Sequence, residues 1–220
     1  MQYAVLFDFD GVIINSPEVL FKFRQNHFKE KHNISLTRKD ARALLGKTYE
    51  HQVNHFCKEH NIPITTAEYT SLRNEWVAEI EVQTKLLTGI SELLSELKKV
   101  NISIGLATNH EKHHLIKELE RFGVLQYFDT ITPKEDVTHN KPHPESYLAT
   151  AKKLGIPTGN CIIIDDSPEC VAQAKNAGMK TVGLCSFAFS AEDFKDADLI
   201  VHSLNEVTVA TLLKLFKEEK

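Results

Sequence analysis

Asp8 and Asp10 are carboxylates one residue apart, set directly after the apolar run Ala4-Val5-Leu6-Phe7 and followed by Gly11. A buried carboxylate is costly unless it is paired, hydrogen-bonded or bound to a metal, so packing does not explain them. Asp165-Asp166-Ser167-Pro168 closes a second apolar run, Cys161 to Ile164, and Thr108-Asn109 closes a third, Ile102 to Ala107. Lys141-Pro142-His143-Pro144-Glu145 lies in a polar loop. Singly these groups read as a turn, helix caps and a solvated loop. Together, at the ends of parallel strands that all point one way, they can converge. Four carboxylates would repel one another strongly without a divalent cation, and all-oxygen ligands favour Mg²⁺ with a substrate phosphate oxygen. Lys141, the Thr108 hydroxyl and backbone N–H groups at the start of the helix after Asn109 would hold the remaining phosphate oxygens. An Asp carboxylate can attack phosphorus, and a second Asp can protonate the leaving oxygen and then activate water. The chemistry is phosphoryl transfer from a metal-bound phosphomonoester.

The elements that must position these residues are legible in order. The first run reads as a strand buried on both faces. Ser16 as N-cap and Pro17 after it start a helix. From there to about Thr84 only helical patterns occur, over Val19 to Lys31, Asp40 to Leu45, Glu50 to His60 and Glu68 to Val82. Thr37-x-x-Asp40 and Thr65-x-x-Glu68 have capping-box spacing. So long a helical stretch exceeds what a crossover needs and implies an inserted helical subdomain, residues 15–86. The remainder, residues 1–14 and 87–220, alternates strand and helix, with short strands at Asp129 to Ile131, Thr181 to Leu184 and Leu199 to Val201. Ser203-x-x-Glu206 caps a final helix. The fold class is α/β, a doubly wound, Rossmann-like parallel sheet carrying an all-helical insertion.

Bulk properties exclude other classes. The 220 residues are 42% hydrophobic and 25% charged, ordinary for a soluble globular chain. A net charge of -4 implies no basic face for nucleic acid. No apolar run is long enough to span a bilayer, and the N-terminus enters the first strand at once, leaving no room for a signal peptide. The expectation is a cytoplasmic protein, monomeric or weakly homodimeric. Cys57, Cys161, Cys170 and Cys185 show no CxxC spacing and read as buried free thiols.

Asp8-Phe9-Asp10-Gly11-Val12, Thr108-Asn109, Lys141-Pro-His-Pro-Glu145 and Asp165-Asp166-Ser167 with Asn176-Ala-Gly178 resemble, in order and spacing, the four motifs of the haloacid dehalogenase superfamily. The resemblance runs through the whole chain and is nearest to its phosphatase and β-phosphoglucomutase-like subgroup. It implies that Asp8 is the nucleophile and Asp10 the general acid/base, Asp10 also giving its backbone carbonyl to Mg²⁺. Asp165 and Asp166 then complete the metal site, and Thr108, Asn109 and Lys141 bind the transferring phosphoryl group. The insertion becomes a mobile cap hinged near Asn15-Ser16 and Leu86 to Gly89, with Gly46-Lys47-Thr48 as the loop that meets the substrate. The implied substrate is a small phosphorylated metabolite.

The chain departs from the resemblance at Asn15, where many relatives are acidic. It departs again at Lys47-Thr48-Tyr49, where relatives that act as sugar-phosphate mutases carry an arginine, so the mutase reading is the weaker one; Lys47 could still serve, and Arg42 or Arg73 could substitute. Asp10 argues against dehalogenases and phosphonatases, which lack it. A receiver domain would be shorter and order its residues differently. An inactive regulatory relative would have lost a motif residue, and none is missing. His110 faces the site, whereas His113 and His114 read as surface residues. Phe56 and Trp76 read as packing between the inserted helices.

Overall fold

The computed structural model describes residues 2–45 and 49–217. Gly46, Lys47 and Thr48, the expected cap loop, lie outside the described residues. The chain runs β1 (Ala4–Phe7), α1 (Ser16–His32), α2 (Arg38–Leu44), α3 (Tyr49–His60), α4 (Thr66–Gln83), α5 (Ile90–Lys99), β2 (Ser103–Ala107) and α6 (Lys112–Arg121). It continues β3 (Thr130–Thr132), α7 (Glu145–Leu154), β4 (Cys161–Asp165), α8 (Pro168–Asn176), β5 (Lys180–Leu184), β6 (Leu199–Val201) and α9 (Val209–Lys217). It divides into two compact units, residues 1–14 with 86–220, and residues 15–85. Leu86, placed in the insertion from sequence, belongs to the first unit, where it bridges to Ile14.

In the first unit the six strands form one parallel sheet in the order β3-β2-β1-β4-β5-β6. The order reverses at β1, and ligands in such sheets bind outside the strand C-termini at that switch point. Every residue of β1 is fully buried because both sheet faces are covered. Val5 and Phe7 pack with Leu94 of α5, Leu115 of α6 and Leu212 of α9. Ala4 and Leu6 face the other way, onto Tyr147 and Ala151 of α7 and Val171 of α8. Burial of each large apolar side chain contributes roughly 1.5–3 kcal/mol. At Gly105 of β2 a Cβ would lie 2.4 Å from Thr150 Cγ2, so the glycine lets α7 approach the sheet closely.

The second unit is α1 to α4. Phe28 stacks on Phe56 at 4.2 Å between ring centroids, and Trp76 is buried, so the aromatics serve packing. Both capping boxes form: the Thr37 N–H donates to Asp40 Oδ2 at 2.7 Å, and the Thr65 N–H donates to Glu68 Oε2 at 2.8 Å. The N-cap of α1 is Asn15, not Ser16, which lies inside the helix. Asn15 Oδ1 accepts the Lys85 N–H at 2.8 Å, tying the two ends of this unit together.

Two further expectations are corrected. Ser203 caps only a 3₁₀ turn over Leu204–Glu206, accepting from the Asn205 N–H, because Val207 is extended and stops propagation. The last helix starts at Val209, with Thr208 Oγ1 accepting from the Thr211 N–H. Cys161 and Cys170 are buried, whereas Cys57 and Cys185 are only half-buried; all four are free thiols. No helix among the described residues is long and apolar enough to cross a membrane.

Candidate active site

Strand register brings the distant motifs to one level. Phe7 of β1 pairs with Leu106 of β2 and Ile164 of β4, so the next residues along, Asp8, Ala107 and Asp165, stand side by side. The Asp8 N–H donates to Ile164 O at 3.0 Å, which extends the ladder one residue past β1. Carboxylate oxygens of Asp8, Asp165 and Asp166 lie within 4.8 Å of one another. Asp165 is 1% exposed.

Gly11 makes room for this cluster. It takes φ +79°, and a Cβ there would lie 2.2 Å from Asp166 Oδ2, so any side chain would strain the turn and push that carboxylate away. Asp165 Oδ1 accepts the Ser167 N–H at 2.8 Å, and Ser167 caps α8 by accepting from the Cys170 N–H.

Lys141 supplies the cation. Its Nζ donates to Asp8 Oδ1 at 2.7 Å, to Asp165 Oδ2 at 3.2 Å and to the Tyr147 hydroxyl at 2.7 Å, which commits all three of its protons. The Tyr147 hydroxyl in turn donates to Asp165 Oδ2 at 2.6 Å. Tyr147 carried no signal in the sequence. It reaches the site because Thr150, one turn along α7, bonds Thr132 Oγ1 on β3 at 2.8 Å.

One ammonium does not balance three carboxylates. At an effective dielectric of about 20, two like charges within 4.8 Å of each other repel by at least roughly 3.5 kcal/mol. Burial, then the charges of Asp165, Asp8 and Asp10, pushes the Asp166 carboxyl well above its ordinary value. Burial likewise raises Asp8 to about 7, with Asp165 and Asp10 adding and Lys141 opposing. Lys141 is pushed down by burial, but Asp8 and Asp165 outweigh this and hold it protonated. The three carboxylates offer hard oxygen donors and excess negative charge, and both properties suit a divalent cation such as Mg²⁺.

The Asp10 carboxylate is directed elsewhere. Its Oδ2 lies 2.5 Å from His110 Nε2, and it is not one of the three clustered groups. The His110 ring meets Phe9 edge-on at 5.3 Å, and the His110 carbonyl accepts the Lys134 N–H at 2.9 Å.

Thr108 is buried, with its N–H on Thr132 O at 3.1 Å and its Oγ1 accepting from the His110 N–H at 3.2 Å. Asn109 clamps the Lys141 backbone, its Oδ1 accepting the Lys141 N–H at 3.0 Å and its Nδ2 donating to Lys141 O at 3.3 Å. The helix after Asn109 begins at Lys112, as the sequence predicts, and Glu135 takes that residue's N–H at 3.0 Å. Its N-terminus therefore already faces a carboxylate. His113 and His114 are exposed.

The sequence profile of the haloacid dehalogenase-like hydrolases matches residues 5–184. The chain belongs to that family. Among haloacid dehalogenase-like relatives, YhcW of Bacillus subtilis is 30% identical over 97% of both chains. Validoxylamine A 7'-phosphate phosphatase of Streptomyces hygroscopicus is 27% identical, over 94% of this chain and 96% of its own. The crystal structure of β-phosphoglucomutase from Clostridium difficile superposes with a TM-score of 0.75 at 27% identity, covering 98% of this chain and 97% of that one.

Proposed function

We propose that the chain is a Mg²⁺-dependent, cytoplasmic phosphatase of a small phosphorylated metabolite, acting through an aspartyl-phosphate on Asp8. The observation that carries this reading is the convergence of Asp8, Asp165 and Asp166 around Lys141. Family membership and the phosphatase named above support it.

An Asp8 oxygen attacks phosphorus, the bond from phosphorus to the ester oxygen breaks, and Asp10 gives that oxygen its proton. Asp10, now a carboxylate, takes a proton from water as the water attacks the aspartyl-phosphate. Inorganic phosphate leaves and Asp8 returns to a carboxylate. Lys141 passes its Asp8 contact to a phosphoryl oxygen, with Thr108 and Asn109 completing the cradle. Asp8, Asp165, Asp166 and the Asp10 carbonyl would hold the metal, which neutralises the cluster and the developing charge on phosphorus. The helical unit, with Gly46, Lys47 and Thr48, sets substrate choice.

A panel of phosphorylated metabolites assayed with Mg²⁺ tests the proposal. Phosphate release that chelation abolishes and Mg²⁺ restores is expected, and metal-independent turnover would overturn the metal site. The likeness to β-phosphoglucomutase favours a second reading as a sugar-phosphate mutase. β-Glucose 1-phosphate with a bisphosphate primer separates the two: free phosphate supports the hydrolase, and isomer formation without release supports the mutase.

A further inference from the structure

The helical unit holds a second convergence of ligating atoms, chemically unlike the first. Asp40, on α2, is 4% exposed. Its Oδ2 accepts from the Thr37 N–H and hydroxyl, both at 2.7 Å, and so completes the capping box. Its Oδ1 faces two imidazoles of α3, His55 Nε2 at 2.8 Å and His60 Nε2 at 2.6 Å.

Capping does not require these imidazoles. The Thr65 and Glu68 box at the start of α4 forms through Thr65 alone, whose N–H and hydroxyl donate to Glu68 Oε2 and whose Oγ1 accepts the Glu68 N–H. The two rings lie 5.6 Å apart and inclined at 73°, each also meets Phe56, and both turn the same nitrogen to one oxygen. His55 is nearly buried and His60 is 19% exposed, so one edge of the cluster meets solvent.

We propose that Asp40, His55 and His60 form a transition-metal site, with zinc as the fitting ion and water as its fourth ligand. Two imidazole nitrogens and one carboxylate oxygen are a common donor set for zinc and a poor one for Mg²⁺. At zinc–ligand distances of about 2.0–2.2 Å, tetrahedral donors stand roughly 3.4 Å apart, so the two imidazole nitrogens, now 2.8 and 2.6 Å from Asp40 Oδ1, need to move off it by less than about 1 Å. Thr37 orients the carboxylate from behind, as outer partners of metal ligands do. The ion would staple α2 to α3, the helices on either side of residues 46–48 in the chain. The other histidine and carboxylate groupings, Glu111 with His113 and His114 and His139 with His143 and Glu145, lack a buried carboxylate. The proposal does not depend on the catalytic reading above.

Titration of the chelator-stripped full chain with Zn²⁺ and Co²⁺ tests it. Wild type should bind zinc and warm its unfolding midpoint by about 5–10 °C at a hundredfold excess over Kd. Bound Co²⁺ should show the intense visible bands of a tetrahedral site with nitrogen ligands. His55→Gln with His60→Gln should weaken zinc by more than about 100-fold, beyond the loss expected from removing an outer partner. Asp165→Asn with Asp166→Asn, and His139→Gln with His143→Gln, should leave it bound. If the double His55/His60 variant does not fold, His60→Gln alone and the cobalt spectrum of wild type carry the test. Zinc retained without His55 and His60, an octahedral cobalt spectrum, or no binding by wild type would each overturn the proposal.

Discussion

His110 Nε2 stands 2.5 Å from Asp10 Oδ2, joining the loop after β2 to the loop after β1. A hydrogen bond to a charged group is worth about 1.5–3 kcal/mol. On the proposed mechanism it holds Asp10 toward the leaving oxygen. His110→Ala should lower kcat about 10–100-fold while KM changes little. The loss should be larger for alkyl than for aryl phosphates, because only a poor leaving group needs the proton. Equal losses on both would show that the contact does not serve proton delivery.

Tyr147 holds Lys141 and Asp165 in register through one hydroxyl. Burial first, then the charges of Asp165 and Asp8, pushes that phenol well above its ordinary value, so it keeps its proton and donates. Tyr147→Phe keeps the ring and removes both bonds. A fall of about 10-fold in kcat/KM is expected, with Lys141→Met falling further. Steady-state kinetics with unfolding curves on the same preparations check this, and an unchanged Tyr147→Phe rate would remove Tyr147 from the site.

Gly11→Ala places a Cβ 2.2 Å from Asp166 Oδ2 at a backbone φ of +79°. The strained backbone should cost about 1–2 kcal/mol of stability. Displacement of Asp166 should raise the Mg²⁺ concentration that gives half-maximal rate. Metal titration of activity measures this, and wild-type metal dependence would show that Asp166 is not held by this turn.

Asp198 joins β5 to the segment before β6, accepting the Thr181 N–H at 2.8 Å and the Lys175 ammonium at 3.0 Å. Burial pushes its carboxyl up, but Lys175 and Thr181 outweigh burial and hold it below the usual range. Its folded pKa is therefore lower than its unfolded one, near 3.9. The unfolded chain takes the proton first as pH falls, so the contribution is full above about pH 5 and fades in acid. Asp198→Ala should lose about 1–3 kcal/mol at neutral pH, with the gap to wild type narrowing below about pH 4. Urea unfolding at several pH values measures it, and a gap independent of pH would contradict the sign.

The sheet and its acidic centre were legible because they depend on short-range pattern. A buried run ending in acid marks a parallel strand's C-terminus, and register then carries Asp8 to Asp165 without further information. His110 on Asp10, Tyr147 on Asp165 and Asn109 on the Lys141 backbone were not legible as contacts, since each depends on a loop path or on helix placement. Local signals also misplaced ends. Ser203 and Glu206 have capping spacing, yet extended Val207 halts the turn. Ser16-Pro17 has an N-cap signature, yet the helix takes in Ser16 and leaves Asn15 at the boundary. Asp40, His55 and His60 sit on two helices, and nothing in their spacing announces that one oxygen collects both imidazoles.

The most direct measurement is the identity of the phosphorylated residue. Asp10→Asn should retain attack on an aryl phosphate, which needs no proton, and stall at water attack. Acid-quenched protein from that variant should then carry one phosphoryl group on the peptide that contains Asp8, with a burst of phenolate to match. Steady turnover with no phosphoryl group on Asp8, or label on a different residue, would contradict Asp8 as the nucleophile.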